Sequence, residues 1–174
     1  MQKDTSKRSV LSGNVSWSPP PPGCIKVNFD GALLHGGSAL GLGIIARDTA
    51  GRCLTWASWK LNRGGSAEET EAYAAREAVL LARRKQWDRV IFEGDCTSLL
   101  TKISTTHTDY SIVGPLVVDI RLGSAHFESV FFSFVRRLSN SVADFLSCYE
   151  LEGEGDSSDL PPGLDSVLLG DLAR

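Results

Sequence analysis

A long helix with a clear start lies between three strands and a fourth, and that order restricts the folds open to this chain. Ser66-Ala67-Glu68-Glu69 is a capping box: the Ser66 hydroxyl can accept from the third helical amide, and Glu69 can reach back to the amide of Ser66. Alanine-rich sequence then carries the helix to about Lys85. Upstream, Ile25, Val27 and Phe29 alternate with Lys26, Asn28 and Asp30, the period of a strand, which Gly31 is expected to end. Segments 40–47 and 52–59 flank the turn Asp48-Thr49-Ala50-Gly51 and complete a three-stranded antiparallel meander. Downstream, Val90-Ile91-Phe92 is a short apolar strand. A meander, a helix and then a strand imply a parallel crossover that returns beside the first strand.

The remaining sequence continues the alternation. Segments 97–103 and 114–122 read as helices, 130–135 as a fifth strand and 140–149 as a final helix. The expected class is α/β, with a mixed five-stranded sheet of three antiparallel strands then two parallel ones. Helices cover both faces, because each must bury one apolar stripe against the sheet.

Composition divides the chain into three parts. Residues 1–16 form a polar arm expected to be disordered, 17–150 a single domain, and 151–174 an acidic tail containing Gly, Pro and Ser, also expected to be disordered. Pro19, Pro20, Pro21 and Pro22 make the approach to the domain extended and stiff. The net charge of -3 is unevenly spread. Glu150, Glu152, Glu154, Asp156, Asp159, Asp165 and Asp171 face Arg174 alone, which leaves 17 basic and 14 acidic residues in the preceding chain. That mildly positive body is compatible with phosphate binding. There is no signal peptide pattern and no transmembrane-length apolar run, so the expected location is intracellular, in nucleus or cytosol. Cys24, Cys53, Cys96 and Cys148 form no metal-binding pair and are expected to be buried free thiols.

The chemically informative residues are acids in positions a fold would not choose. Asp30 stands at the carboxyl end of the first strand, and Asp95 just past the fourth. If those strands are parallel neighbours, both acids reach the crevice where α/β proteins bind ligands. On the long helix, Glu71 shares a face with Ala67, Ala74, Ala75, Ala78, Leu81 and Ala82, so it interrupts the packing stripe. A carboxylate aimed at a sheet is costly unless neutralised, and a cation shared with Asp30 and Asp95 would do so. Taken singly, each acid has a plainer explanation: Asp30 as a turn residue, Glu71 as a first-turn acid and Asp95 as an N-cap. Asp144 falls opposite Val142, Phe145, Leu146 and Tyr149, and its spacing suits a solvated residue.

Five strings, in order and at spacings that match these elements, carry a family resemblance. They are Trp17 with the prolines and Gly23-Cys24-Ile25-Lys26-Val27-Asn28-Phe29-Asp30-Gly31-Ala32; Gly41-Leu42-Gly43-Ile44-Ile45-Ala46-Arg47-Asp48 with Gly51; Glu71 to Ala78; Glu93-Gly94-Asp95; and Val135-Arg136-Arg137 with Asn140, Ala143 and Asp144. Together they resemble the ribonuclease H-like domains of plants, related to those of non-LTR retrotransposon reverse transcriptases. The resemblance spans about 17–149.

The resemblance implies a ribonuclease H-like fold and a metal-dependent endonuclease that hydrolyses the RNA strand of RNA/DNA hybrids by a two-metal mechanism. Four carboxylates hold two Mg2+ ions in that family, with Mn2+ as a substitute, and the matching positions are Asp30, Glu71, Asp95 and Asp144. This is what raises Asp144 to a candidate ligand. Asn28, Arg137 and Asn140, near the acids in sequence, are the candidate substrate contacts, and the expected partner is a hybrid bound by a monomer. Two departures bear on function. Phe134 stands where the family usually has His, and Arg83-Arg84-Lys85 leads into the fourth strand without the basic insertion of some ribonucleases H. The alternative reading is a catalytically inactive module that binds nucleic acid or protein; a third is another nuclease or transferase of the same superfold.

Overall fold

A computed structural model describes residues 16–149 and 152–172. Apart from Ser16, the arm expected over 1–16 lies outside the described residues. The strands are β1 (Ile25–Leu34), β2 (Ala39–Arg47), β3 (Cys53–Leu61), β4 (Arg89–Gly94), β5 (Ser129–Phe134) and β6 (Gly153–Gly155). The helices are α1 (Ala67–Arg84), α2 (Thr97–Ser104), α3 (Gly114–Ser124), α4 (Ser141–Ser147) and α5 (Leu164–Leu172).

The sheet order is β5-β4-β1-β2-β3-β6. β1, β2 and β3 pair antiparallel, while β4 runs parallel to β1 and β5 parallel to β4. The parallel crossover is as expected. α1 begins on its capping box, with the Ser66 hydroxyl accepting from Glu69 N at 3.2 Å and the Ser66 amide donating to Glu69 Oε2 at 2.8 Å. One face of the sheet presents Val27, Phe29, Ile44, Val90 and Phe92 to α1, α2 and α3. The other presents Ile45, Cys53 and Trp56 to Val142 and Leu146 of α4 and Leu164 of α5.

Four expectations need correction. Gly31 does not end β1, which runs on to Leu34. A Cβ at Gly31 would lie 2.5 Å from the carbonyl carbon of Thr70 and 2.6 Å from the amide nitrogen of Glu71. Glycine is there so that the main chain of α1 can rest on the strand. On the opposite face a Cβ at Gly43 would overlap the carbonyl oxygen of Ala143, so α4 approaches β2 as closely.

The sheet has a sixth strand, and the tail is not disordered over its described residues. β6 pairs antiparallel with β3, from Trp56↔Gly155 to Ser58↔Gly153. α5 buries Leu164 in the second core, and Asp171 forms an ion pair with Arg47 at 2.8 Å, both side chains essentially inaccessible. The acid excess that suggested disorder contains one acid with a buried cationic partner, and Leu160, Val167 and Leu168 supply enough apolar surface to dock.

All four cysteines are free, but only Cys24 and Cys53 are buried; Cys96 is half-buried and Cys148 exposed. No helix among the described residues is long and apolar enough to cross a membrane.

Candidate active site

The parallel register brings the first two acids together. β1 and β4 pair from Ile25↔Val90 to Asn28↔Glu93. Two residues further along both chains stand Asp30 and Asp95. Because α1 lies directly on Gly31, Glu71 in its second turn reaches the same point. Asp30, Glu71 and Asp95 each present an oxygen atom, and these three atoms lie within 4.8 Å of one another.

Burial makes this arrangement costly. Glu71 Oε2 is buried without a hydrogen-bond partner. Burial, then the charges of Asp30 and Asp95, push the Glu71 carboxyl up to about 9, although the Gly31 amide opposes the rise. Burial also raises Asp30 to about 7; the Ser147 hydroxyl opposes this, and the charges of Asp95 and Asp144 add to it. Three carboxylates converging on one point, with one Glu71 oxygen unpaired, form a hard, oxygen-only donor set that suits a divalent cation.

Asp144 is near but not in the cluster. Its Oδ1 accepts from the Arg137 guanidinium at 2.6 Å. The nearby charge of Asp144, followed by those of Asp30 and Asp95, raises the pKa of Arg137. Arg137 is 72% exposed in its side chain and open to a ligand.

The other two proposed substrate contacts are corrected by their positions. Asn28 and Asn140 are buried. Asn28 Nδ2 donates to Glu93 Oε2 and Asn140 Oδ1, both at 3.1 Å, while its Oδ1 accepts from Trp17 Nε1 at 3.1 Å. Asn140 Nδ2 donates to the carbonyl of Phe29 at 2.9 Å. These amides tie the approach segment, the sheet and the turn before α4 together beneath the acids, out of reach of substrate.

One residue of the site was missed in the sequence. The Ser147 hydroxyl donates to Asp30 Oδ2 at 2.8 Å from a buried position on α4. Its signal was available: Ser147 follows Ala143 by four residues, so a hydroxyl stands in the apolar stripe of that helix.

A family model described as "Reverse transcriptase-like" matches residues 28–149. The chain belongs to the reverse transcriptase-like family. The family match contains all four acids and excludes both Trp17 and the docked tail. Solved structures similar to this reverse transcriptase-like chain share its fold at low identity. RNase H1 from the halophilic archaeon Halobacterium salinarum NRC-1 is 18% identical with a TM-score of 0.66, covering 71% of this chain and 94% of that one. The N-terminal RNase H domain of Rv2228c from Mycobacterium tuberculosis is 15% identical with a TM-score of 0.65, covering 71% and 90%. LC11-RNase H1 from compost, solved in complex with an RNA/DNA hybrid, is 16% identical with a TM-score of 0.62, covering 70% and 92%. No curated protein matches the sequence. The fold is therefore that of ribonuclease H.

Proposed function

We propose that this protein is a divalent-metal-dependent endonuclease that hydrolyses the RNA strand of RNA/DNA hybrids. The observation that carries this reading is the convergence of Asp30, Glu71 and Asp95 on one point, with Glu71 Oε2 left unpaired. Those three acids would hold Mg2+, with Mn2+ as a substitute, and Asp144 would join them on release from Arg137. Bound there, two such ions supply charge neutralisation at the scissile phosphate and a lowered pKa for the attacking water.

The protein's own part is positional. Ser147 holds the Asp30 carboxylate in place through Oδ2. The Gly31 amide fixes Glu71. Arg137, in exchanging Asp144 for a substrate phosphate, would couple arrival of the nucleic acid to completion of the acid set. The same reading includes action as a monomer in nucleus or cytosol, and descent from a plant non-LTR retrotransposon domain.

The test is cleavage of a labelled RNA/DNA hybrid by the purified full chain with Mg2+, against single- and double-stranded controls. The expected result is cutting of the RNA strand, abolished by Asp30→Asn with the fold retained. Absence of Mg2+-dependent cleavage of every nucleic acid would refute the reading and leave an inactive binding module.

A further inference from the structure

The apolar face of β5 runs out beyond its helical cover. Val130 and Phe132 pack against the first core, with the Phe132 ring 5.1 Å from that of Phe92. Phe134, next on the same face, is 51% exposed. It pairs in register with Gly94, and the amide of Val135 donates to the Gly94 carbonyl at 3.0 Å, so the end of β5 lies beside the residue that precedes Asp95. The chain then turns along the acids through Arg136, Arg137 and Leu138, all exposed. Arg137 holds Asp144, while the Arg136 side chain forms no hydrogen bond or ion pair among the described residues.

An aromatic ring and a leucine interleaved with two arginines, at the rim of an acid cluster, match the chemistry of a nucleotide better than that of a protein partner. Arginines take phosphates, and an exposed ring takes a base face. Within continuous duplex every base face is already covered by its neighbours, so a surface ring gains nothing from it.

Resting on the nuclease reading above, we infer that residues 134–138 are a stacking and phosphate contact for a nucleotide left unpaired beside the cleaved bond. The chain then selects nucleic acid that offers an open base face over continuous hybrid. The departure from His at position 134 becomes a determinant of specificity, in a chain whose long helix is not followed by a basic insertion.

The test is fluorescence anisotropy with the full chain carrying Asp30→Asn, which separates binding from turnover. One labelled hybrid is blunt and the other carries an unpaired nucleotide at its end. The overhang should bind at least about fivefold more tightly, the lower range for one base on one ring. Phe134→Leu, which keeps apolar volume but removes the ring, should erase that preference; Phe134→Trp should keep it. Arg136→Gln should weaken both hybrids alike and lower the slope of log affinity against log salt by roughly 0.9. Equal binding of the two hybrids, or a preference that survives Phe134→Leu in a chain with unchanged melting, overturns the inference. A preference lost on Phe134→Leu but without cleavage by the wild type supports the strip and refutes the nuclease; cleavage without preference does the reverse.

Discussion

Ser147 donates its hydroxyl to Asp30 Oδ2, so the helix on one face of the sheet holds the acid that meets Glu71 from the other. That bond opposes the effect of burial on Asp30. Ser147→Ala should move the Asp30 carboxyl above about 7 and cost about 1 kcal/mol of stability for a lost buried hydrogen bond. Carboxyl titration by NMR would show the shift. An unmoved Asp30 would mean the hydroxyl plays no electrostatic part.

Without divalent ions the protein should become less stable as pH rises, the reverse of ordinary acid denaturation. Glu71, at about 9, and Asp30, at about 7, both bind protons more tightly folded than unfolded. Their contribution is full below the unfolded values of 4.5 and 3.8, and is lost as pH climbs through 7 and 9. Asp30→Asn should raise the melting temperature of the metal-free protein near pH 8 by relieving charge repulsion. Mg2+ should restore the wild type at that pH while restoring the variant less. Thermal melts across pH with chelator or Mg2+ would check both signs.

Asp171→Ala should destabilise the chain by about 3 to 5 kcal/mol, because it leaves the buried Arg47 without its ion-pair partner. Adding Arg47→Met should recover most of that loss, since an apolar side chain of similar length needs no counter-charge. Urea unfolding of the two variants decides it. A negligible effect of Asp171→Ala would mean that α5 detaches in solution.

Arg137→Gln should change stability by less than about 1 kcal/mol, because the Arg137–Asp144 pair is half open to water. With Asp144 released toward the cluster, Mn2+ affinity measured by calorimetry should rise. A fall would show that Asp144 is not an additional ligand.

Much of the scaffold was legible because it obeys local rules. The alternation in β1, the capping box at Ser66 and the turn at Asp48 each depend on residues within a few positions of one another. Asp30, Glu71 and Asp95 were legible because charge interrupts patterns that are otherwise apolar. What escaped depends on contacts distant in sequence. Gly31 looks like a strand stop unless the helix lying on it is seen. β6 is Gly-Glu-Gly, with no alternation to read, and is held partly by the Thr55 hydroxyl, which donates to the carbonyl of Gly155. Nothing near Asp171 announces Arg47, and Asn28 and Asn140 sit close to acids along the chain yet beneath them in space.

At Gly31 and Gly43 peptide lies against peptide, with no side chain between helix and strand. The gap between Asp30 and Glu71, and that between Asp30 and Ser147, is therefore gauged by main-chain dimensions that every protein shares. Core residues can be exchanged across long divergence without resizing the cluster, provided these two contacts stay bare. Proteins only 15% to 18% identical to this one share its fold although most of their residues differ.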